Sequence, residues 1–152
     1  MILDERTEFC DATALNTGVA GTYLIGDQID LGAVARDVGN GQPLYLVITV
    51  DTLPTSGGAA TAQFKLVSDA NASIATDGSA SLHLETKAFA ISEMAAGTVL
   101  AAVALPIEGV AYERYLGILQ TTGTAAFTGG KVNAFLTHDV AKWKSYDAPW
   151  QA

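Results

Sequence analysis

Short runs of β-favouring residues fill most of the chain, separated every ten to fifteen residues or so by clusters of Gly, Thr, Asn, Asp and Ser. Leu44 to Val50 is almost continuously apolar, the pattern of a strand buried on both faces. It follows Gly39-Asn40-Gly41-Gln42-Pro43, a turn rich in chain-breaking residues. The next run alternates: Ala62, Phe64 and Leu66 point one way, Thr61, Gln63 and Lys65 the other. Leu82 and Leu84 alternate with His83 and Glu85, and the phase slips before Phe89 and Ile91, as at a bulge or a break between strands. Val99, Ala101, Val103 and Leu105 share a face ended by Pro106. Tyr115 to Gln120 and Lys131 to Thr137 complete the later half. Earlier, Thr22 to Ile25 and Gln28 to Leu31 read as two short strands joined at Gly26-Asp27. Ser92 to Leu105 competes as a helix, but Gly97 and the β-branched Thr98-Val99 favour a loop followed by a strand, with one helical turn near Glu93 to Ala96. About eight strands punctuated by turns predict an all-β fold, a single jelly-roll-like antiparallel β-sandwich rather than βαβ units.

The two ends break this rhythm. Residues 1–11 set Ile2, Leu3 and Phe9 among Asp4, Glu5, Arg6, Glu8 and Asp11, and read as an N-terminal arm. Residues 139–152 carry Trp143, Tyr146 and Trp150 without strand periodicity, and read as a C-terminal aromatic arm beyond a sandwich spanning 12–138. Amphipathic aromatics on a terminal segment suit docking on another surface, or folding back over the open end of their own sandwich.

Composition narrows the function classes. Of 152 residues, 49% are hydrophobic and only 16% charged, against roughly 25% charged in ordinary soluble proteins. A surface this poor in charge is what results when much of it becomes interface. The net charge of −8, with no basic cluster, opposes binding to nucleic acid. Acid in Met1 to Arg6 replaces the positive charge of a signal peptide, and the apolar runs fall far short of the ~20 residues of a spanning helix, so neither secretion nor a membrane partner is expected. The single cysteine, Cys10, cannot form an internal disulfide and reads as a small buried or interfacial thiol.

Chemistry-bearing patterns are sparse. His83 and His138 are the two histidines; His83 falls on the polar side of a strand and His138 opens the C-terminal arm. Neither accompanies a Gly-x-Ser-x-Gly turn. Zinc motifs are missing, and Ser68, Asp69, Asn71 and Asp77 offer oxygens without EF-hand spacing, so no metal or cofactor is expected. Asp51 reads as a turn-former. The glycines at 39, 41, 57 and 58 do not lead into helices carrying lysine, which argues against a phosphate cradle. A core of Ala, Leu and Val points away from an enzyme.

Several segments resemble the capsid cement, or decoration, proteins of tailed bacteriophages, specifically a jelly-roll family of podophage heads. The segments are Met1 to Asp4; Ile29 to Gly32 followed by Arg36 to Leu46; Leu105-Pro106 with Glu113 to Leu116; and Thr128 to Leu136. Ser73 to Lys87 and Lys142 to Ala152 depart from the pattern. The resemblance implies a virion structural protein, made in the host cytoplasm and added to the outer capsid surface. Its partners would be the major capsid protein and its own copies, as a homotrimer at local three-fold positions bridging capsomers. Ile2, Leu3, Phe9, Trp143, Tyr146 and Trp150 are the expected interface anchors. Three other readings stay open: a carbohydrate-binding sandwich using Tyr112, Tyr115 or the tail aromatics, a head-fibre or tail component, and, third, a hydrolase using paired acids.

Overall fold

The computed structural model describes residues 4–15, 18–33, 38–39 and 41–141. Nine strands run through them: β1 (Glu8–Ala14), β2 (Gly21–Asp30), β3 (Tyr45–Ser56), β4 (Thr61–Asp69), β5 (Ser81–Glu85), β6 (Phe89–Ala90), β7 (Val99–Ala104), β8 (Tyr115–Gly123) and β9 (Phe127–Thr137). Glu5–Thr7 and Ile91–Glu93 are 3₁₀ turns, the second slightly earlier than the helical turn expected near Glu93 to Ala96. Among the described residues no helix is long and apolar enough to cross a membrane.

Two antiparallel sheets face each other as a sandwich, one in the order β1-β9-β3-β7 and one in the order β2-β8-β4-β5, with β6 also beside β4. The pairs β1–β9, β2–β8, β3–β7 and β4–β5 nest inside one another, which is the jelly-roll connectivity. Strands β5 and β6 occupy the place of one strand broken at 86–88, where the hydrophobic phase slips.

The core between the sheets takes Leu46, Ile48 and Val50 from β3, Val132, Ala134 and Leu136 from β9, Ala62, Phe64 and Leu66 from β4, and Leu116 and Ile118 from β8. Each large aliphatic or aromatic side chain buried there contributes about 1.5–3 kcal/mol. The expected alternation of β4 holds, and the apolar run of β3 is buried on both faces. Val47, opposite Phe135 of β9, lies on the face turned away from this core, and both are buried. On the other sheet, Val67 and Leu119 are covered by Ile74 from the β4–β5 loop. The seat for Ile74 is made by Gly117, where an added Cβ would lie 2.5 Å from Ile74 Cδ1.

Bulges account for the differences from the sequence reading. On β1, Glu8 pairs with Phe135 and Cys10 with Ala134, so one extra residue turns both Phe9 and Cys10 into the core. Residues 8–11 therefore belong to the sandwich and not to an arm. Gln28 to Leu31 does not start a second strand. Instead β2 continues through a bulge between Ile25 and Ile29, where Gly26 has φ +69° and an added Cβ would lie 2.1 Å from Phe9 O. On β5 a register shift separates the pairs Leu66–Leu84 and Val67–Leu82. Leu82 is left on the exposed side and His83 turns toward Ser68 instead of solvent.

The alternation of strand directions sorts the connections by end. The described residues 31–33, 38–39 and 41–44 between β2 and β3, the links 70–80 and 105–114, the turn Glu5–Thr7 and residues 138–141 lie at one end. Residues 15 and 18–20, with the links 57–60, 86–98 and 124–126, lie at the other.

Candidate functional site

At the first of these ends, the β7–β8 connection is pinned along its length while its tip is left apolar and open. Leu105 N donates to Leu44 O at 2.8 Å, and Tyr112 donates its hydroxyl to Pro106 O at 2.8 Å. Glu113 N donates to Ser68 Oγ at 2.9 Å, and Ser81 Oγ donates to Glu113 Oε1 at 2.6 Å. Arg114 makes a two-pronged contact to Asp30, Nε to Oδ1 at 2.9 Å and Nη2 to Oδ2 at 2.8 Å. These bonds, joined by one from Gly32 N, pull the Asp30 carboxyl down to about 2. Leu31 N closes the base by donating to Arg114 O at 2.8 Å.

Between these ties, Ile107 is 67% exposed and Val110 57% exposed, flanking Glu108 and Gly109. Gly109 turns the tip with φ +110°, a conformation that strains any other residue. Gly39, from the β2–β3 loop, sits beside Ile107, whose Cγ2 would be 3.8 Å from an added Cβ. Two aliphatics held in water by a fastened loop form a surface fit for contact with another protein. The sequence reading did not single them out. Their signal was a pair of aliphatics around Glu-Gly, outside any strand alternation.

A buried polar clamp supports the loop. Ser68 Oγ lies 2.7 Å from His83 Nε2, and the His83 ring stacks on Tyr112 with centroids 4.0 Å apart and planes 19° off parallel. The Ser68 oxygen also accepts from Glu113 N, so one hydroxyl joins the loop backbone to the His83 ring. Burial lowers the His83 pKa, and the nearby Glu113 charge pushes the other way. Burial also raises the Tyr112 phenol to about 12. A hydroxyl beside an imidazole is the first element of a nucleophile–base pair. Here the serine is 0% exposed and meets no solvent, so the pair fastens the loop to β4 and β5.

The other predicted residues fall as follows. Phe9 corrects the sequence reading: it is 1% exposed within its own core, because the β1 bulge turns it inward, and it is not free to anchor a partner. Ile2, Leu3, Trp143, Tyr146 and Trp150 lie outside the described residues. Cys10 is buried, with Sγ 3.7 Å from Val132 O, and burial pushes its thiol up to about 11. His138 is exposed, its Nδ1 3.0 Å from Pro43 O. Asp69 accepts from Asn71 N at 2.9 Å and Ala75 N at 3.0 Å, and Asp77 from Ser79 N at 3.0 Å. These donors shape the loop; backbone N–H groups hold the Asp69 carboxyl low, and the Ser79 hydroxyl, with the Ser79 N–H, does so for Asp77. Among the described residues no group of three or more His, Cys, Asp or Glu is placed to hold a metal ion. Of the candidate sugar platforms, Tyr112 has a ring face taken by His83, and Arg114 lies 4.9 Å over the Tyr115 ring.

No curated protein matches the chain. The model of the Bbp16 family, whose name points to a phage-related protein, matches residues 9–136, from β1 through nearly the whole of β9, and the chain belongs to that family.

Proposed function

We propose that this chain is a non-enzymatic structural protein of a bacteriophage virion, which attaches to the outer capsid surface and stabilises the shell by bridging capsomers. Its partners are the major capsid protein and further copies of itself, with three copies about a local three-fold axis as the arrangement the sequence resemblance implies. The observation that carries the reading is the apolar tip at Ile107 and Val110, held in water by bonds to β2, β4 and β5. Membership of the Bbp16 family supports the phage setting. The low share of charged residues supports a protein much of whose surface is to be covered. Several copies, each with modest contacts, hold a shell far longer than one contact alone.

The test mixes the recombinant chain with phage heads that lack decoration and measures co-sedimentation and solution mass. Saturable pelleting and a closed oligomer are the expected result. A 15.7 kDa monomer that stays in the supernatant refutes the reading.

A further inference from the structure

The four outer strands of the two sheets are not alike. β1 carries Glu8 and Asp11 and two register shifts, with Ala12 at φ +42°. β2 carries Asp27, Asp30 and the Gly26 bulge. β5 ends in Glu85 and is separated from β6. Charges, bulges and interruptions of this kind keep a sheet edge from pairing with a foreign strand. β7 reads Val99-Leu100-Ala101-Ala102-Val103-Ala104, with no charge and no proline. Its one irregularity lies at Leu100, and from Ala101 to Ala104 it pairs regularly with β3.

Register tells which way its backbone points. Leu105 N bonds Leu44 O, and Val103 and Ala101 follow in the same phase opposite Leu46 and Ile48. Residues 101 and 103 therefore turn their N–H and C=O toward β3, and Ala102 and Ala104 turn theirs to the open side. No described strand pairs there.

Beside this edge the two sheets part. On the β1–β2 side they approach so closely that Gly26 has no room for a Cβ. On the β7 side they leave a groove of about 370 Å³ lined by Leu46, Phe64, Leu84, Phe89, Leu100 and Val103, the last 43% exposed. That volume is at the low end of the roughly 300–1,000 Å³ of small-ligand pockets and admits side chains from alternate positions of an added strand. The charges at its rim cancel locally: Glu85 pairs with Lys65 at 3.1 Å, and Lys87 pairs with Glu93. In a chain of net charge −8 this is a neutral stretch, and it suits a neutral partner.

We propose that the β7 edge and its groove form a strand-accepting site for an uncharged, extended segment of the shell protein, which adds to the β1-β9-β3-β7 sheet and lays alternate apolar side chains between the sheets. The inference rests on the capsid reading and gives it a mode of attachment. β7 runs directly into the 105–114 loop, so the added strand would lead on to the apolar tip at Ile107 and Val110.

The experiment uses the full chain, undecorated heads and two variants. Ala102→Pro removes an N–H that the β3 ladder does not use, and Val103→Glu places a charge at the groove. Melting temperatures near that of the unmodified chain, with half-saturation on heads raised at least about tenfold in both, are expected. Hydrogen exchange of the unmodified chain gives a readout free of variant folding: amides of Ala102 and Ala104 gain protection on head binding. Binding unchanged in both variants, or no gain in protection, overturns the inference while leaving the capsid reading in place. An oligomer that dissociates in both variants while head binding persists assigns the edge to a second copy and overturns it as well. An unmodified chain that does not bind heads overturns the capsid reading, and this inference with it.

Discussion

Phe9→Ala separates a side chain that builds the sandwich from one kept for a partner. Phe9 is 1% exposed and sits in the core with Cys10, because the bulge between Glu8 and Cys10 turns both inward. An aromatic ring buries about 150–250 Å², worth roughly 4–6 kcal/mol at about 25 cal/mol per Å² as an upper bound. Alanine recovers part of that, and Phe→Ala in cores costs about 3–5 kcal/mol. The lower half of that range already matches much of the stability of a domain near the bottom of the usual ~5–15 kcal/mol. At about 3 °C per kcal/mol for a chain of this length, the melting temperature falls by roughly 10–15 °C. Urea unfolding should show a lowered midpoint with an unchanged slope, since the surface exposed on unfolding is nearly the same. A surface anchor behaves oppositely: its truncation stays within about ±0.5 kcal/mol in the free protein and shows itself only in head binding. A fall of under about 2 °C, accompanied by lost binding, refutes the burial argument.

Five further outcomes follow from the same structure. Ile107→Asp with Val110→Asp leaves melting within about 2 °C and abolishes co-sedimentation with heads, since both side chains are already in water. Ala12→Gly relieves a left-handed residue whose N–H donates to Asn133 Oδ1 at 2.6 Å and raises stability by about 0.5–1 kcal/mol in a urea titration. Ile74→Ala lifts the lid from Val67 and Leu119, costs about 2–4 kcal/mol and speeds amide exchange across 70–80 before the core opens. Burial holds His83 below its ordinary value of about 6.5, so the folded protein binds that proton less readily than the unfolded chain. Its contribution is complete above about pH 6.5 and is lost as pH falls below that value, which calorimetry between pH 7 and 5 reads directly. His83→Gln flattens that part of the profile. The carboxyls of Asp30, Asp69 and Asp77, held low, act in a more acidic window, where stability drops as they take up protons.

Periodicity made the sandwich legible wherever each residue of a strand met one partner. The alternation of Ala62, Phe64 and Leu66 against Thr61, Gln63 and Lys65, and the unbroken apolar run of β3, translated directly into faces. The readings failed at extra residues, because a bulge shifts the side-chain phase without altering composition. Phe9 reads as an anchor on an N-terminal arm, and His83 as solvated, until the registers of β1 and β5 are known. The second half of β3 was hidden because Asp51 reads as a turn-former, whereas it lies within the strand. The strand continues because Pro54 lies against Gly130, whose missing side chain leaves room for it, and register shifts take up the mismatch. The apolar tip was invisible for a different reason: exposure of a loop aliphatic depends on what three other loops cover.

On the proposed reading, the jelly roll gives recognition one end and one edge of this molecule. At the far end, the turns 57–60 and 124–126 are short. At the near end, the 105–114 connection is tied to β2, β4 and β5 by Arg114–Asp30, Glu113–Ser68 and Ser81–Glu113, so the tip at Ile107 and Val110 is presented with little ordering left to complete on contact. A tip contact through two aliphatics is weak alone, and so is a short strand added to β7. Fixed on one sandwich, with β7 ending where the loop begins, the second contact forms at the high effective concentration set by the first. Loss of either should therefore weaken head binding by more than its isolated contact. A double variant joining Val103→Glu to Ile107→Asp tests the point: no further loss beyond the single variants means one contact cannot hold without the other, whereas simple multiplication of the two losses shows that they act independently.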